Sequence, residues 1–171
     1  AGNVPGRDTG SVVRELFGSA KQTVLVAGYA IHRGREVFAV LGQRMTDSPG
    51  LRVTLVVDVP RRSGDTTLDA DLIYHFAREF REKHWPSERL PAIYFDPRSL
   101  HMDPTRRSAM HAKCIVVDRV AALITSANFT TAAQTKNIEV GVLARSPALA
   151  ESLARNFEGL IAATALRRLP T

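Results

Sequence analysis

Cysteine is nearly missing from this chain. Cys114 is the only one in 171 residues, which excludes an intrachain disulfide and any zinc site built on paired cysteines. Long apolar runs are missing too. None approaches the ~20 residues of a membrane-crossing helix, and no secretory leader is visible. The sequence holds no H-E-x-x-H pair of zinc ligands. Asp69 and Asp71, two apart on a helix, would not face each other. No metal and no other cofactor is therefore expected. Internal repeats and low-complexity tracts are also absent. With 44% apolar residues, what remains fits one globular domain over residues 1–171, long enough to bury a core. The lone cysteine favours a cytoplasmic setting. The chain begins Ala1-Gly2-Asn3 without Met, so export stays open.

Charge is unevenly signed. Lys plus Arg number 23 against 17 Asp plus Glu, a net charge of +6, which suggests a polyanionic partner, nucleic acid or an anionic surface. The arginines gather at joints between elements. Arg33 and Arg35 follow the first apolar run, Arg61 and Arg62 the second, and Arg98, Arg106 and Arg107 the third. Open α/β sheets bind ligands beyond the carboxyl ends of their strands. Arg33, Arg61, Arg62, Arg98, Arg106 and Arg107 are thus candidate substrate-binding residues at one sheet edge.

The pattern of elements supports that geometry. Val12, Val13, Leu16, Phe17 and Ala20 follow helical spacing, as do Val37, Phe38, Val40, Leu41 and Met45. Leu68, Leu72, Ile73, Phe76 and Phe80 make a third helical stripe. Val24–Ala27, Val53–Val57 and Ala92–Phe95 read as strands buried on both faces. In the second half, residues 111–117, 121–126 and 138–144 read as successive strands with little helix between them. Ser146 is a good N-cap, with Pro147 at the first helical position. Early β-α-β alternation implies parallel pairing, and the later run implies antiparallel pairing. The expected fold class is α/β, a mixed parallel and antiparallel sheet flanked by helices on both faces.

The chemistry concentrates in His111-Ala112-Lys113 with Asp118 beyond it, then Ser126 and Asn128, then Glu139. Residues i and i+2 of a strand share a face, so His111 and Lys113 point one way, and Ser126 and Asn128 do the same on the next strand. An ammonium neutralises phosphate charge, and amide and hydroxyl groups hydrogen-bond its oxygens. A neutral imidazole can attack phosphorus and form a phosphohistidine. Glu139 offers a carboxylate to hold the imidazole tautomer. H-x-K-x4-D alone arises by chance in roughly one chain per hundred. The full set does not read as coincidence.

These residues, H111-A-K113-C-I-V-V-D118, T125-S126-A-N128 and N137-I-E139-V-G141, resemble the phospholipase D, or HKD, superfamily. The spacing from His111 to Glu139 is similar to that of its small single-motif, Nuc-type bacterial endonucleases. Overall the chain also looks like the phospholipase D-like (DrmC) proteins of DISARM phage-defence systems. Thr125 departs from the pattern, standing where many members have glycine, and tolerance is expected because it is small. The resemblance implies a phospholipase D-like fold and a metal-independent phosphodiesterase. In that scheme His111 is nucleophile or general acid, Lys113 and Asn128 bind phosphate, Ser126 assists and Glu139 orients a histidine. Asp118 stays outside direct contact, as structural or outer support. Two histidines are needed and one motif is present, so the site is expected to close across a homodimer. A missing part of the native protein or a different subunit is the alternative source.

Basic loops favour a nuclease acting on DNA or RNA, without stable membrane association. A phospholipase or phosphatidyl transferase is the alternative enzyme, and would need an exposed apolar face that the sequence does not reveal. A third reading is a nucleic-acid-binding subunit of a defence complex with weak or no catalysis. Cys114 is expected in the core, Trp85 and Tyr94 against the sheet, and His75 and His84 as ordinary helix residues. His32 and His101 lie in loops within reach of the site.

Overall fold

The computed structural model describes residues 7–130 and 137–170. In chain order the elements are α1 (Thr9–Ser19), β1 (Thr23–Gly28), β2 (Ile31–His32), α2 (Gly34–Val37), α3 (Ala39–Asp47), β3 (Arg52–Val57), α4 (Asp69–Glu79), β4 (Ala92–Phe95), β5 (Cys114–Val117), β6 (Ala121–Thr125), β7 (Phe129–Thr130), β8 (Gly141–Ala144), α5 (Pro147–Ala162) and β9 (Arg167–Arg168). Seven strands form one sheet in the order β8-β6-β5-β1-β3-β4-β9, and β2 pairs with β7 separately. β1, β3 and β4 run parallel. β5 is antiparallel to β1, and β6 and β8 continue antiparallel. The mixed sheet expected from the sequence is present.

Alternation explains why these segments are strands. Val24, Val26, Val53, Leu55, Val57, Ile115, Val117 and Leu123 point to one face and pack with Val13 and Phe17 of α1, Phe38 between α2 and α3, and Leu41 and Met45 of α3. Leu25, Ala27, Val56, Cys114, Val116 and Ala122 point to the other, under Ala150, Ala154 and Phe157 of α5. Both faces are covered, which is why these strands are continuously apolar. Helix ends obey their capping residues. Asp8 accepts the Ser11 N–H at 2.8 Å, and the Ser146 hydroxyl accepts the Leu149 N–H at the start of α5. Trp85 is buried, with its indole N–H on the Arg89 carbonyl.

Three expectations shift. The strand read over 111–117 begins only at Cys114, and the one read over 138–144 begins at Gly141, so the polar residues lie on the approaches to β5 and β8. The stripe on α4 is at most half-buried, with Leu68 exposed just before its first turn. α4 then continues into a π-turn over Phe80–His84.

The turn between β5 and β6 explains the aspartate of the motif. Asp118 and Arg119 both have positive φ, 50° and 55°, in a region that Asp tolerates better than most residues. The Asp118 carboxylate accepts the N–H groups of Lys21, Gln22 and Thr23 at 2.9, 2.7 and 2.8 Å. It thereby ties the hairpin to the loop that enters β1.

Candidate active site

Antiparallel pairing decides what meets at the site edge. The carboxyl ends of β1, β3 and β4 lie beside the amino end of β5, because Ala27 is opposite Cys114. The carboxyl end of β6 and the amino end of β8 join them through the pairs Cys114 with Ile124 and Thr125 with Gly141. His111, Lys113, Ser126, Asn128 and Glu139 therefore all lie at one end of the sheet. Asp118 lies at the other end of β5.

Lys113 is buried while His111 is exposed. The Lys113 ammonium donates to the His111 carbonyl at 3.0 Å and stands 3.4 and 3.5 Å from the two imidazole nitrogens. Tyr29, the first residue after β1, completes the arrangement. Its ring meets the His111 ring at a centroid distance of 4.8 Å, and the ammonium lies 5.5 Å from its centroid. Gly28, just before it, makes room for the Phe129 ring, because a Cβ there would fall 2.3 Å from that ring. The short pairing of β2 with β7 then holds the loop after Asn128 against the loop after Tyr29.

Across β6, the Ser126 hydroxyl donates to Glu139 in a short hydrogen bond and accepts the Val140 N–H at 3.1 Å. The Asn137 amide also donates to Glu139, at 3.3 Å. Within the chain Glu139 thus holds Ser126. The Asn128 Oδ1 is buried without a hydrogen-bond partner among the described residues. Such an unpaired acceptor costs about 1–3 kcal/mol and calls for a functional explanation. Thr125 fits in place of glycine because Gly141 opposite it lacks a side chain. The Thr125 hydroxyl donates to the Val140 carbonyl and accepts the Ala127 N–H.

The arginines divide. The Arg61 side chain is wholly buried and donates to the carbonyls of Leu100, Asp65 and Thr67 and to the Asp69 carboxylate. Arg107 donates to the carbonyls of His101, Arg61 and Met102. Both hold loops together, and the placing of Arg61 and Arg107 among substrate-binding side chains is corrected accordingly. Arg98 grips Asp96, and Ser108 donates to the same carboxylate at 2.6 Å. Burial opposes it, but these bonds hold the Asp96 carboxyl below its ordinary range. Arg35 donates to the Glu82 carbonyl. Arg33, Arg62 and Arg106 are exposed, and Arg33 has a long 3.9 Å contact with Glu36.

Tyr29 and Asp58 escaped sequence reasoning. Asp58 is buried at the end of β3 and accepts the Met110 N–H at 3.0 Å. Burial pushes its carboxyl above the ordinary range, and the charge of Asp96 adds to the effect. Both residues directly follow a parallel strand, where α/β sheets place ligands, and that was the available signal. Among the described residues no three His, Cys, Asp or Glu side chains gather to hold a metal ion, and no helix is long and apolar enough to cross a membrane.

The chain is 28% identical over 139 residues to the DISARM protein DrmC of Bacillus paralicheniformis, across 80% of this chain and 50% of that protein. It thus spans about half the length of that curated relative. The fold matches the phospholipase D family member Nuc of Salmonella typhimurium at a TM-score of 0.62, with 23% identity over 94% of this chain and 90% of Nuc. NucT of Helicobacter pylori matches at 0.58, with 14% identity over 89% of this chain and 86% of NucT. The phosphatidylserine synthase of Haemophilus influenzae matches at 0.60, with 17% identity over 85% of this chain and 33% of the synthase. The family model described as "Cardiolipin synthase, PLD-like domain" matches residues 13–161, and over that span the chain belongs to the phospholipase D-like superfamily.

Proposed function

We propose that this chain is a metal-independent phosphodiesterase that cleaves nucleic acid, DNA first, through a phosphohistidine. The observation that carries the reading is the buried Lys113 ammonium set 3.4 Å from the exposed His111 ring. It supports the reading because a fixed positive charge beside the ring suits a phosphodiester held within reach of a ring nitrogen. Family membership and the likeness to Nuc, NucT and DrmC support a phosphodiesterase- or nuclease-type role.

In the proposed reaction a His111 ring nitrogen forms a bond to phosphorus as the bond to the leaving oxygen breaks. A second histidine donates its proton to that oxygen. Water then attacks phosphorus, gives a proton back to the second histidine, and releases His111. Lys113 and Asn128 hold the non-bridging oxygens, and Ser126, fixed by Glu139, assists. Arg33, Arg62 and Arg106 track the flanking backbone, with Arg98 beside them. The second histidine is proposed to be His111 of a second copy. Ile124, Ile138, Val140 and Val142 form an exposed apolar row next to Ser126 and Glu139, which supports a partner on that side. A companion role in a defence system rests on the likeness to DrmC alone.

The same row, absent from expectation, favours a second reading as a phosphatidyl transferase acting at a lipid surface. One assay separates the readings. Single- and double-stranded DNA, RNA and phosphatidylcholine vesicles are incubated with wild type and His111→Ala, with and without EDTA. Cleavage of DNA that resists EDTA and disappears in the variant is expected. Activity that needs a divalent metal or survives His111→Ala overturns the mechanism, and turnover of lipid alone installs the second reading. Binding of nucleic acid without cleavage marks a non-catalytic subunit.

A further inference from the structure

A cavity of about 250 Å³ opens at the carboxyl ends of β1 and β3, lined in part by Tyr29 and Asp58. Tyr29, Phe76 and Phe80 supply aromatic walls, and Asp58, Glu79 and His84 supply its polar groups. Two contacts join it to the site. Tyr29 is shared, since its ring also meets His111. Asp58 holds the N–H of Met110, the residue before His111. The π-turn after α4 places Phe80 and His84 on this cavity, and such turns collect at functional sites.

The polar groups have definite hydrogen-bonding senses. The Gly34 N–H donates to His84 Nδ1 at 3.4 Å, and burial holds that ring below its ordinary pKa. The neutral ring therefore carries its proton on Nε2 and donates from there. Lys83, 3.1 Å from Glu79, keeps that carboxylate ionised and acceptor-only. The cavity thus presents flat apolar walls, one ring N–H donor and carboxylate acceptors. Nothing in it is suited to a phosphate, whose charge the carboxylates would repel.

We propose that this cavity binds the nucleobase adjoining the scissile phosphate and prefers adenine and cytosine to thymine and uracil. The inference rests on the nuclease reading above. A flat base stacks on the aromatic walls. Adenine and cytosine carry an amino group next to a ring nitrogen, so a carboxylate accepts from the first while His84 Nε2 donates to the second. Thymine sets a carbonyl oxygen against the carboxylate instead. A base reaches this depth only when unstacked, which favours single-stranded substrate.

The test uses single-stranded oligonucleotides with A, C, T or a tetrahydrofuran abasic residue beside one fixed phosphate. Wild type is expected to cut next to A or C about tenfold more efficiently, in kcat/KM, than next to the abasic residue, the scale of one base stacked on aromatic walls, and about tenfold more efficiently than next to T, the scale of one unmade hydrogen bond. Phe76→Ala is expected to collapse the A-to-abasic ratio, chiefly through KM. Glu79→Gln is expected to relieve the disfavour of T, because an amide can donate to its carbonyl. Binding of the same oligonucleotides to His111→Ala reads the cavity without turnover. Cleavage that is indifferent to the base, or a preference untouched by both variants, overturns the proposal. Base-selective binding to a protein that cuts nothing overturns the nuclease reading and keeps the cavity.

Discussion

Replacing Asp118 by alanine should weaken the fold and spare the chemistry. The carboxylate accepts three backbone N–H groups, from Lys21, Gln22 and Thr23, at 2.7–2.9 Å. Hydrogen bonds to charged groups contribute about 1.5–3 kcal/mol each. These are partly open to solvent, so about 1 kcal/mol each is the better figure, roughly 3 in total. Alanine must also hold the positive φ of 50°, which costs about 1 kcal/mol more. The sum, about 4 kcal/mol, should lower Tm by about 8–16 °C in a chain of this length. Asp118→Asn keeps an acceptor and a side chain tolerant of that φ, and should lose less than half as much. His111 lies seven residues away along extended chain, roughly 20 Å, so cleavage per folded molecule should stay within about twofold of wild type at a temperature where both are folded. His111→Ala should give the converse, an unchanged Tm and no cleavage. Calorimetry and a single-turnover cleavage assay on the same samples measure both. An Asp118→Ala protein with native Tm and abolished cleavage would refute the reasoning and return Asp118 to the reaction.

The adjacent Arg61 and Arg62 should behave oppositely. Arg61→Ala removes a buried guanidinium from three carbonyls and a carboxylate and should destabilise by about 3 kcal/mol. Arg62→Ala should leave Tm alone and reduce the slope of log affinity for DNA against log salt by about 1. Binding titrations from low to high salt, paired with melting curves, check both. Burial pushes the Cys114 thiol up to about 11, so at pH 8 only roughly one thiol in a thousand is ionised. Iodoacetamide should label Cys114 in urea and not in the native protein. Fast native labelling would mean that β5 does not pack under α5 as described.

The sheet was legible because its physics is local. Largely apolar runs at 24–27, 53–57 and 92–95 form the centre of the sheet, and helical stripes between them force parallel crossovers. That His111, Lys113, Ser126, Asn128 and Glu139 gather at one end of the sheet was legible because charge and hydrogen-bonding groups recur at fixed spacing. Arg61 was not legible. An Arg-Arg pair in a loop looks the same at both positions, and only the distant carbonyl of Leu100 decides which side chain turns inward. The bond between Ser126 and Glu139 was hidden for a similar reason. Side-chain type announces a hydroxyl and a carboxylate, but the pairing of β6 with β8 is what brings them together. Tyr29 and Asp58 needed the fold before their neighbours could be counted.

The sheet's change of direction at β1 and β5 matters for the chemistry as much as any side chain. In a wholly parallel sheet the carboxyl ends of all strands share one edge, and residues that precede a strand lie at the opposite edge. His111 and Lys113 precede β5, so parallel pairing with β1 would have separated them from the loops that carry Tyr29, Asp58 and the exposed arginines. Antiparallel pairing brings the amino end of β5 to those loops. It also sends Asp118 to the far end, where the carboxylate anchors the hairpin. The two ends of H-x-K-x4-D thus serve one strand in different ways: the histidine and lysine stand at the edge with Tyr29 and Asp58, and the aspartate fixes the strand that carries them there.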